Sequence, residues 1–124
     1  MRRVVVDASV LLDWFVANGP YRALRAEYEA GTLIVIGPRA LVGDALGRLA
    51  ERGVPAERLV RVAAELQRLG LQLQDPPVPE LATWVAKGLP GHRAAYAALA
   101  SALEVPLITD DPELRRIAAA VLNQ

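Results

Sequence analysis

The sequence contains no cysteine, and it has one histidine and one phenylalanine among its 124 residues. The absence of cysteine excludes disulfide bonds and zinc sites built from thiolates, and it favours a reducing compartment. The apolar run after Arg3 meets Asp7 after three valines, which is far too short for the core of a signal peptide. No run approaches the roughly 20 apolar residues that a membrane span needs. We therefore expect a cytoplasmic protein with no membrane partner.

The chain also lacks a net charge, because 14 basic residues balance 14 acidic ones. This balance argues against a protein that coats nucleic acid through a strongly basic surface, although a local basic face stays compatible with it. Apolar residues make up 53% of the sequence, which is enough to bury a core without covalent cross-links. The length is typical of one domain, and we expect residues 1–124 to form it.

Short apolar segments alternate with longer segments of helical periodicity. The apolar segments predict β-strands at residues 4–6, 33–36, 71–73 and 105–108. The periodic segments predict helices at residues 8–17, 20–30, 39–52, 55–69, 79–87, 92–103 and 112–122. This alternation indicates an α/β protein in which helices cover both faces of a parallel sheet. We therefore predict a three-layer α/β/α fold with a central sheet of four to five strands.

Acidic residues follow the predicted strands. Asp7 ends the first strand, Asp44 lies on the helix after the second, and residues 109–111 (Thr-Asp-Asp) follow the fourth. Ligands of open parallel sheets bind outside the carboxyl ends of the strands, so these carboxylates can converge on one pocket. Clustered carboxylates repel each other unless a cation offsets their charge. Oxygen ligands of this kind suit Mg²⁺ or Mn²⁺, which can support hydrolysis of a phosphodiester.

Three stretches resemble the PIN domain family, and especially the toxin ribonucleases of bacterial toxin–antitoxin pairs. The first is Val4-Val5-Val6-Asp7-Ala8-Ser9-Val10-Leu11-Leu12, and the second covers residues 38–49. The third covers residues 92–114 and includes Tyr96-Ala97-Ala98-Leu99-Ala100 and Pro106-Leu107-Ile108-Thr109-Asp110-Asp111. Each stretch is weak alone, but their order and spacing together are specific. The resemblance covers the chain from end to end.

This resemblance implies a PIN-like fold and an endoribonuclease that depends on Mg²⁺ or Mn²⁺. The catalytic, metal-binding acids that it implies are Asp7, Asp44 and Asp111, with Asp44 standing where a glutamate is more usual. The supporting residues that it implies are the hydroxyls of Ser9 and Thr109, with Asp110 as the reserve ligand. It also implies an RNA substrate, a homodimer and a small antitoxin protein as partner.

The sequence departs from the family motif at Arg93, where the motif has an aspartate. Loss of that carboxylate removes a metal ligand and brings in a cation, so we expect weaker metal binding. Arg93 could turn to solvent or bind a substrate phosphate. The main alternative function is therefore a degenerate PIN scaffold that binds RNA or a protein without catalysis. A phospho-acceptor domain of similar topology is disfavoured, because Asp7-Ala8-Ser9 lacks a second acid two residues on.

Structural roles compete with the functional ones at several positions. Asp7 and Asp111 both fit the N-cap of a following helix, and Pro112 is well placed at a first helical position. Asp44 could be an ordinary solvated helix residue. Three arginines of the helix at 55–69 most simply form a solvated face, with RNA contact as the alternative. They are Arg58, Arg61 and Arg68.

Overall fold

The computed structural model describes residues 1–15 and 18–122. Its strands are β1 (Arg2–Val6), β2 (Leu33–Gly37), β3 (Gln72–Leu73) and β4 (Leu107–Ile108). They form one sheet in the order β3-β2-β1-β4, and every neighbouring pair is parallel. The predicted three-layer α/β/α arrangement with a parallel sheet is confirmed, with four strands in the described part of the chain.

Helices connect and follow these strands. Two lie between β1 and β2, namely α1 (Ala8–Asp13) and α2 (Arg22–Glu29), and two lie between β2 and β3, namely α3 (Leu41–Glu51) and α4 (Ala56–Arg68). Two more lie between β3 and β4, namely α5 (Val78–Ala86) and α6 (Gly91–Leu103), and α7 (Pro112–Ile117) and α8 (Ala119–Leu122) follow β4. No helix of the described residues is long and apolar enough to cross a membrane.

Strand β1 is the centre of the molecule. Val4, Val5 and Val6 are all buried, and because successive side chains point to opposite faces of a sheet, both faces of β1 are covered. The connections from β1 run to β2 on one side, whereas β4 adds on the other side. This reversal creates a crevice outside the carboxyl ends of β1 and β4, which is where open α/β sheets bind ligands.

Several predicted boundaries are wrong. The first helix was predicted over residues 8–17, but it ends at Asp13, and residues 16 and 17 lie outside the described part of the chain. The second begins at Arg22 rather than at residue 20, because the Asp13 carboxylate accepts a hydrogen bond from the Tyr21 backbone at 2.9 Å and fixes the preceding turn. The last predicted helix is interrupted at Ala118 and continues as α8.

Candidate active site

An open pocket of about 680 Å³ lies outside the carboxyl ends of β1 and β4. Asp7, Asp44 and Asp111, which the sequence singled out, all line it. They arrive from three directions, since Asp7 ends β1, Asp44 lies in the first turn of α3, and Asp111 precedes α7. The fold therefore brings these three carboxylates to one concave surface.

Asp7 is the most deeply buried of the three acids, with 2% of its surface exposed. Oδ1 accepts hydrogen bonds from Ser9 Oγ at 2.5 Å and from the Val10 backbone N–H at 3.2 Å, so Asp7 is also the N-cap of α1. Oδ2 accepts a hydrogen bond from the Thr109 hydroxyl. The pairing of Val6 with Ile108 explains this contact, because it places Thr109, directly after β4, beside Asp7, directly after β1. Both predicted hydroxyls thus contact the first acid, while their part in catalysis stays a prediction.

Asp44 is partly buried and accepts a hydrogen bond from the Tyr96 hydroxyl at 2.7 Å. Burial of Tyr96, followed by its hydrogen bond to Asp44, raises the pKa of the phenol well above its usual value of 10. The negative charge of Asp7 raises this pKa further, and the charge of Arg48 opposes the rise. Tyr96 is therefore a neutral donor that fixes the orientation of the Asp44 carboxylate between two other charged groups.

Asp111 is the N-cap of α7, as its sequence context predicted. Its Oδ1 accepts hydrogen bonds from the backbone N–H groups of Glu113 at 3.0 Å and Leu114 at 3.1 Å. Its Oδ2 lies 3.1 Å from Arg93 Nε. The two groups form an ion pair, but the N–H is not aligned for a hydrogen bond. Arg93 also donates from Nη1 to Glu113 Oε2 at 2.8 Å. Arg93 therefore neither turns to solvent nor stays free, but joins two carboxylates at the wall of the pocket.

Asp110 faces away from this cluster. Its carboxylate accepts a hydrogen bond from the Tyr21 hydroxyl and lies 3.5 Å from Arg115 Nη2. Arg115 also donates from Nε to the Thr109 carbonyl at 2.7 Å. Burial, then the hydrogen bond and charge of Asp110, raise the pKa of Tyr21 to about 12. The predicted reserve ligand is thus held on the outer side of the loop, and it does not line the pocket.

The acids of the pocket fit a divalent ion only in part. Within the described residues, no group of three or more histidine, aspartate or glutamate side chains is arranged to hold a metal ion. Asp111 is already paired with Arg93, whereas Asp7 and Asp44 have no ion pair in the described part of the chain. Mg²⁺ often binds through one or two carboxylates, several waters and a substrate phosphate. The residues present therefore suit an ion held by Asp7 and Asp44 together with substrate, rather than a cage of protein ligands.

Reasoning from the sequence missed Tyr96 and Glu113 as partners of the acids. The spacing on α6 could have indicated Tyr96. It lies four residues after His92 and three after Arg93, so all three side chains share one face of the helix. All three line the pocket. The contact between Arg93 and Glu113 joins α6 to α7, and no local pattern in the sequence announces such a pairing.

Comparisons with known proteins bear on the fold. No family model and no curated protein sequence matches the chain. Among solved structures, PAE2754 from Pyrobaculum aerophilum is 23% identical, with a TM-score of 0.63 over 99% of this chain and 98% of that one. VapC20 from Mycobacterium tuberculosis, a toxin that cleaves the sarcin–ricin loop, is 12% identical, with a TM-score of 0.66 over 91% of this chain and 93% of that one. The chain therefore has the PIN-like fold that its motifs predicted, the fold of a VapC toxin.

Proposed function

We propose that this protein is an endoribonuclease that depends on Mg²⁺ or Mn²⁺ and hydrolyses RNA in the pocket outside β1 and β4. The observation that carries the proposal is the burial of the Asp7 carboxylate without a paired cation among the described residues. This carboxylate is almost fully buried and hydrogen-bonded, yet no cation pairs with it within the described residues. Buried carboxylates are usually paired with a cation or coordinate a metal ion. An ion that contacts the pocket would supply the missing charge.

The protein's own residues would prepare the site for this chemistry. Ser9 and Thr109 fix the Asp7 carboxylate from two sides, and Tyr96 fixes Asp44, so neither acid needs to reorganise when it binds a ligand. A divalent ion held by Asp7 and Asp44 would act as a Lewis acid on the phosphodiester and activate the attacking water. Arg93 lines the same pocket, but Asp111 and Glu113 already balance its charge, so its part would be to hold Asp111 at the pocket wall.

The likeness to VapC20 supports a biological setting for this activity. We infer that the chain is the toxin of a toxin–antitoxin pair, with a small antitoxin protein as its partner, and that it forms a homodimer. Trp14, a large apolar side chain that could in principle contact a partner, packs in the core instead, where its ring centroid lies 5.4 Å from that of Tyr28. The proposed dimer therefore rests on the resemblance alone.

A second candidate function is a scaffold that binds RNA or a protein partner without cleaving it. The ion pair between Arg93 and Asp111 favours this function, because a positive side chain of the protein itself neutralises one of the three acids. An acid that is neutralised in this way contributes less to metal binding. The two candidates share the fold and the pocket, and they differ in whether the remaining acids suffice for catalysis.

Cleavage of a mixed RNA pool by the purified protein tests the proposal. Cleavage should appear with Mn²⁺ or Mg²⁺, disappear with a chelator, and fall at least 100-fold in Asp7→Asn. The matched control is Glu57→Gln, which removes one negative charge from an exposed position at the start of α4 and should cleave like wild type. Circular dichroism would establish that each variant is folded.

The outcomes separate the two candidates. Equal cleavage by wild type and Asp7→Asn would show that the activity does not need Asp7 and would contradict the proposal. No cleavage by folded wild-type protein at any metal concentration would favour the scaffold.

A further inference from the structure

Helix α3 presents an unusual face to the pocket. Its pocket-lining positions form two adjacent rows, in which residues are spaced four apart. One row runs Asp44, Arg48 and then Arg52, which directly follows the last residue of α3, and the other runs Gly43, Gly47, Glu51. With a rise of about 1.5 Å per residue, the two arginines lie roughly 6 and 12 Å along the helix from Asp44. A line of positive charge therefore leads away from the acids.

Arg48 and Arg52 have no ion-pair partner among residues 1–15 and 18–122. Within the described residues, neither side chain forms an ion pair or a hydrogen bond, and Glu51 in the neighbouring row is not paired with either of them. Arg93, across the same pocket, is joined to two carboxylates. Arginines that carry free planar guanidinium groups at a concave surface suit phosphate, which they can bind through two parallel hydrogen bonds.

The glycines of the second row leave the surface of α3 open. A Cβ atom added at Gly43 or at Gly47 would meet no heavy atom within 4 Å beyond its chain neighbours and the backbone of its own helix, so packing does not require glycine at either position. Glycine inside a helix is nevertheless less favourable than alanine. A bare helix backbone would let an extended ligand approach closely.

We propose that this face of α3 binds the sugar–phosphate backbone of single-stranded RNA. Arg48 and Arg52 contact the phosphates that follow the one beside Asp44, and Gly43 and Gly47 form the floor on which the strand lies. A single row of cations on one helix suits one strand rather than the two strands of a duplex. The inference rests on the proposed function for the placement of the cleaved phosphate, but the binding that it describes requires no catalysis.

Equilibrium binding of a fluorescent single-stranded RNA to the full chain in chelator tests the arginines. In Arg48→Gln/Arg52→Gln the affinity should fall about tenfold or more at low salt. The slope of log K against log salt should become shallower by about 0.7 for each lost contact, or about 1.4 in total. The matched control is Arg58→Gln/Arg61→Gln, which removes two exposed arginines from α4 and should leave both quantities unchanged.

A glycine substitution gives the second readout. Gly47→Ala should raise the thermal midpoint by about 4 °C, because alanine is the better helix former and its methyl group meets no neighbour. The same change should weaken RNA binding several-fold, because the methyl group would occupy the surface of α3 on which we propose that the RNA strand lies. Opposite effects on stability and on binding separate a contact with the ligand from damage to the fold.

Failure of this inference is distinguishable from failure of the proposed function. If wild type binds RNA in chelator and the α3 double variant does not, the inference holds even when no cleavage occurs. If wild type cleaves RNA and the double variant has the same kcat/KM, the inference is wrong and the nuclease stands. Loss of binding in the α4 control alone would place the RNA on α4 and overturn the inference, as would wild type that binds no RNA in chelator.

Discussion

At the scale of single residues, the hydrogen bonds of Asp7 determine the state of the site. A carboxylate removed from water is costly unless donors surround it, and Asp7 has three such donors: Ser9, Val10 and Thr109. The Thr109 hydroxyl does more than donate, because it also accepts a hydrogen bond from the Asp111 backbone N–H at 3.0 Å. This one hydroxyl therefore links the end of β1 to the start of α7.

Replacement of Thr109 by valine tests this link. Valine keeps the shape of the side chain but leaves Asp7 Oδ2 without its donor and Asp111 N–H without its acceptor. Thr109 is only 1% exposed, so water cannot readily take over, and we expect a loss of about 1–3 kcal/mol in the free energy of unfolding. Urea denaturation measures the loss. Thr83→Val is the control, because the Thr83 hydroxyl is exposed and bonds only to a carbonyl of its own helix. An equal effect in both variants would show that the Thr109 hydroxyl contributes nothing specific.

At the scale of elements, α7 depends on the residue that precedes it. The Asp111 side chain caps two backbone N–H groups, and the same carboxylate holds Arg93 of α6. Capping needs only an oxygen acceptor, whereas the ion pair needs the negative charge. Asparagine and alanine at this position therefore separate the two roles.

Asp111→Ala should lower the free energy of unfolding by about 1–2 kcal/mol, because both the cap and the ion pair are lost. Asp111→Asn should retain most of that stability, because asparagine caps helices about as well as aspartate. Urea denaturation of both variants, each alone and each combined with Arg93→Gln, measures the coupling energy between the side chains at positions 111 and 93. A loss in Asp111→Asn as large as in Asp111→Ala would mean that the ion pair, and not the cap, maintains the start of α7.

The elements also show how far the sequence could predict this protein. Strands β1 and β2 were located because their apolar β-branched runs are largely buried, whereas β3 was located from the weaker run Leu71-Gln72-Leu73, although both residues of the strand are exposed. The end of α1 could not be located, because the apolar periodicity continues through Trp14 and Phe15 while the chain already turns there. Among the acids, Asp7 and Asp111 were found because a strand or a proline marks their positions. The contact of Asp44 with Tyr96 joins residues 52 apart in sequence, so it required the packed structure.

At the scale of the whole molecule, the sheet order decides which acids can meet. Because β4 lies directly beside β1, the loops after these strands are neighbours, and the pocket opens between them and α3. Topology alone does not choose between Asp110 and Asp111 on that loop. The contacts of the Asp110 carboxylate with Tyr21 and Arg115 hold it on the side of the loop away from the pocket, so Asp111 faces the pocket. A contact outside the pocket thus sets which carboxylate faces it.

The charge at position 93 should determine how strongly the whole protein is stabilised by metal. Arg93→Asp removes the cation that pairs with Asp111 and changes the local charge by two units, so the cluster of Asp7, Asp44 and Asp111 gains a fourth carboxylate. An aspartate in the first turn of α6 is also favoured by the helix dipole, so the variant should fold. Without metal it should be less stable than wild type, because its carboxylates repel one another.

Thermal unfolding in increasing Mn²⁺ measures the effect, because an ion that binds only the folded state raises stability with the logarithm of its concentration. Metal affinity at least tenfold higher in Arg93→Asp than in wild type would add about 1.4 kcal/mol of stabilisation at saturating Mn²⁺. Arg61→Asp carries the same net charge on the exposed face of α4 and should respond to Mn²⁺ like wild type. If Mn²⁺ stabilises Arg93→Asp no more than Arg61→Asp, then Arg93 does not limit metal binding, and the acids of this pocket are not arranged around an ion.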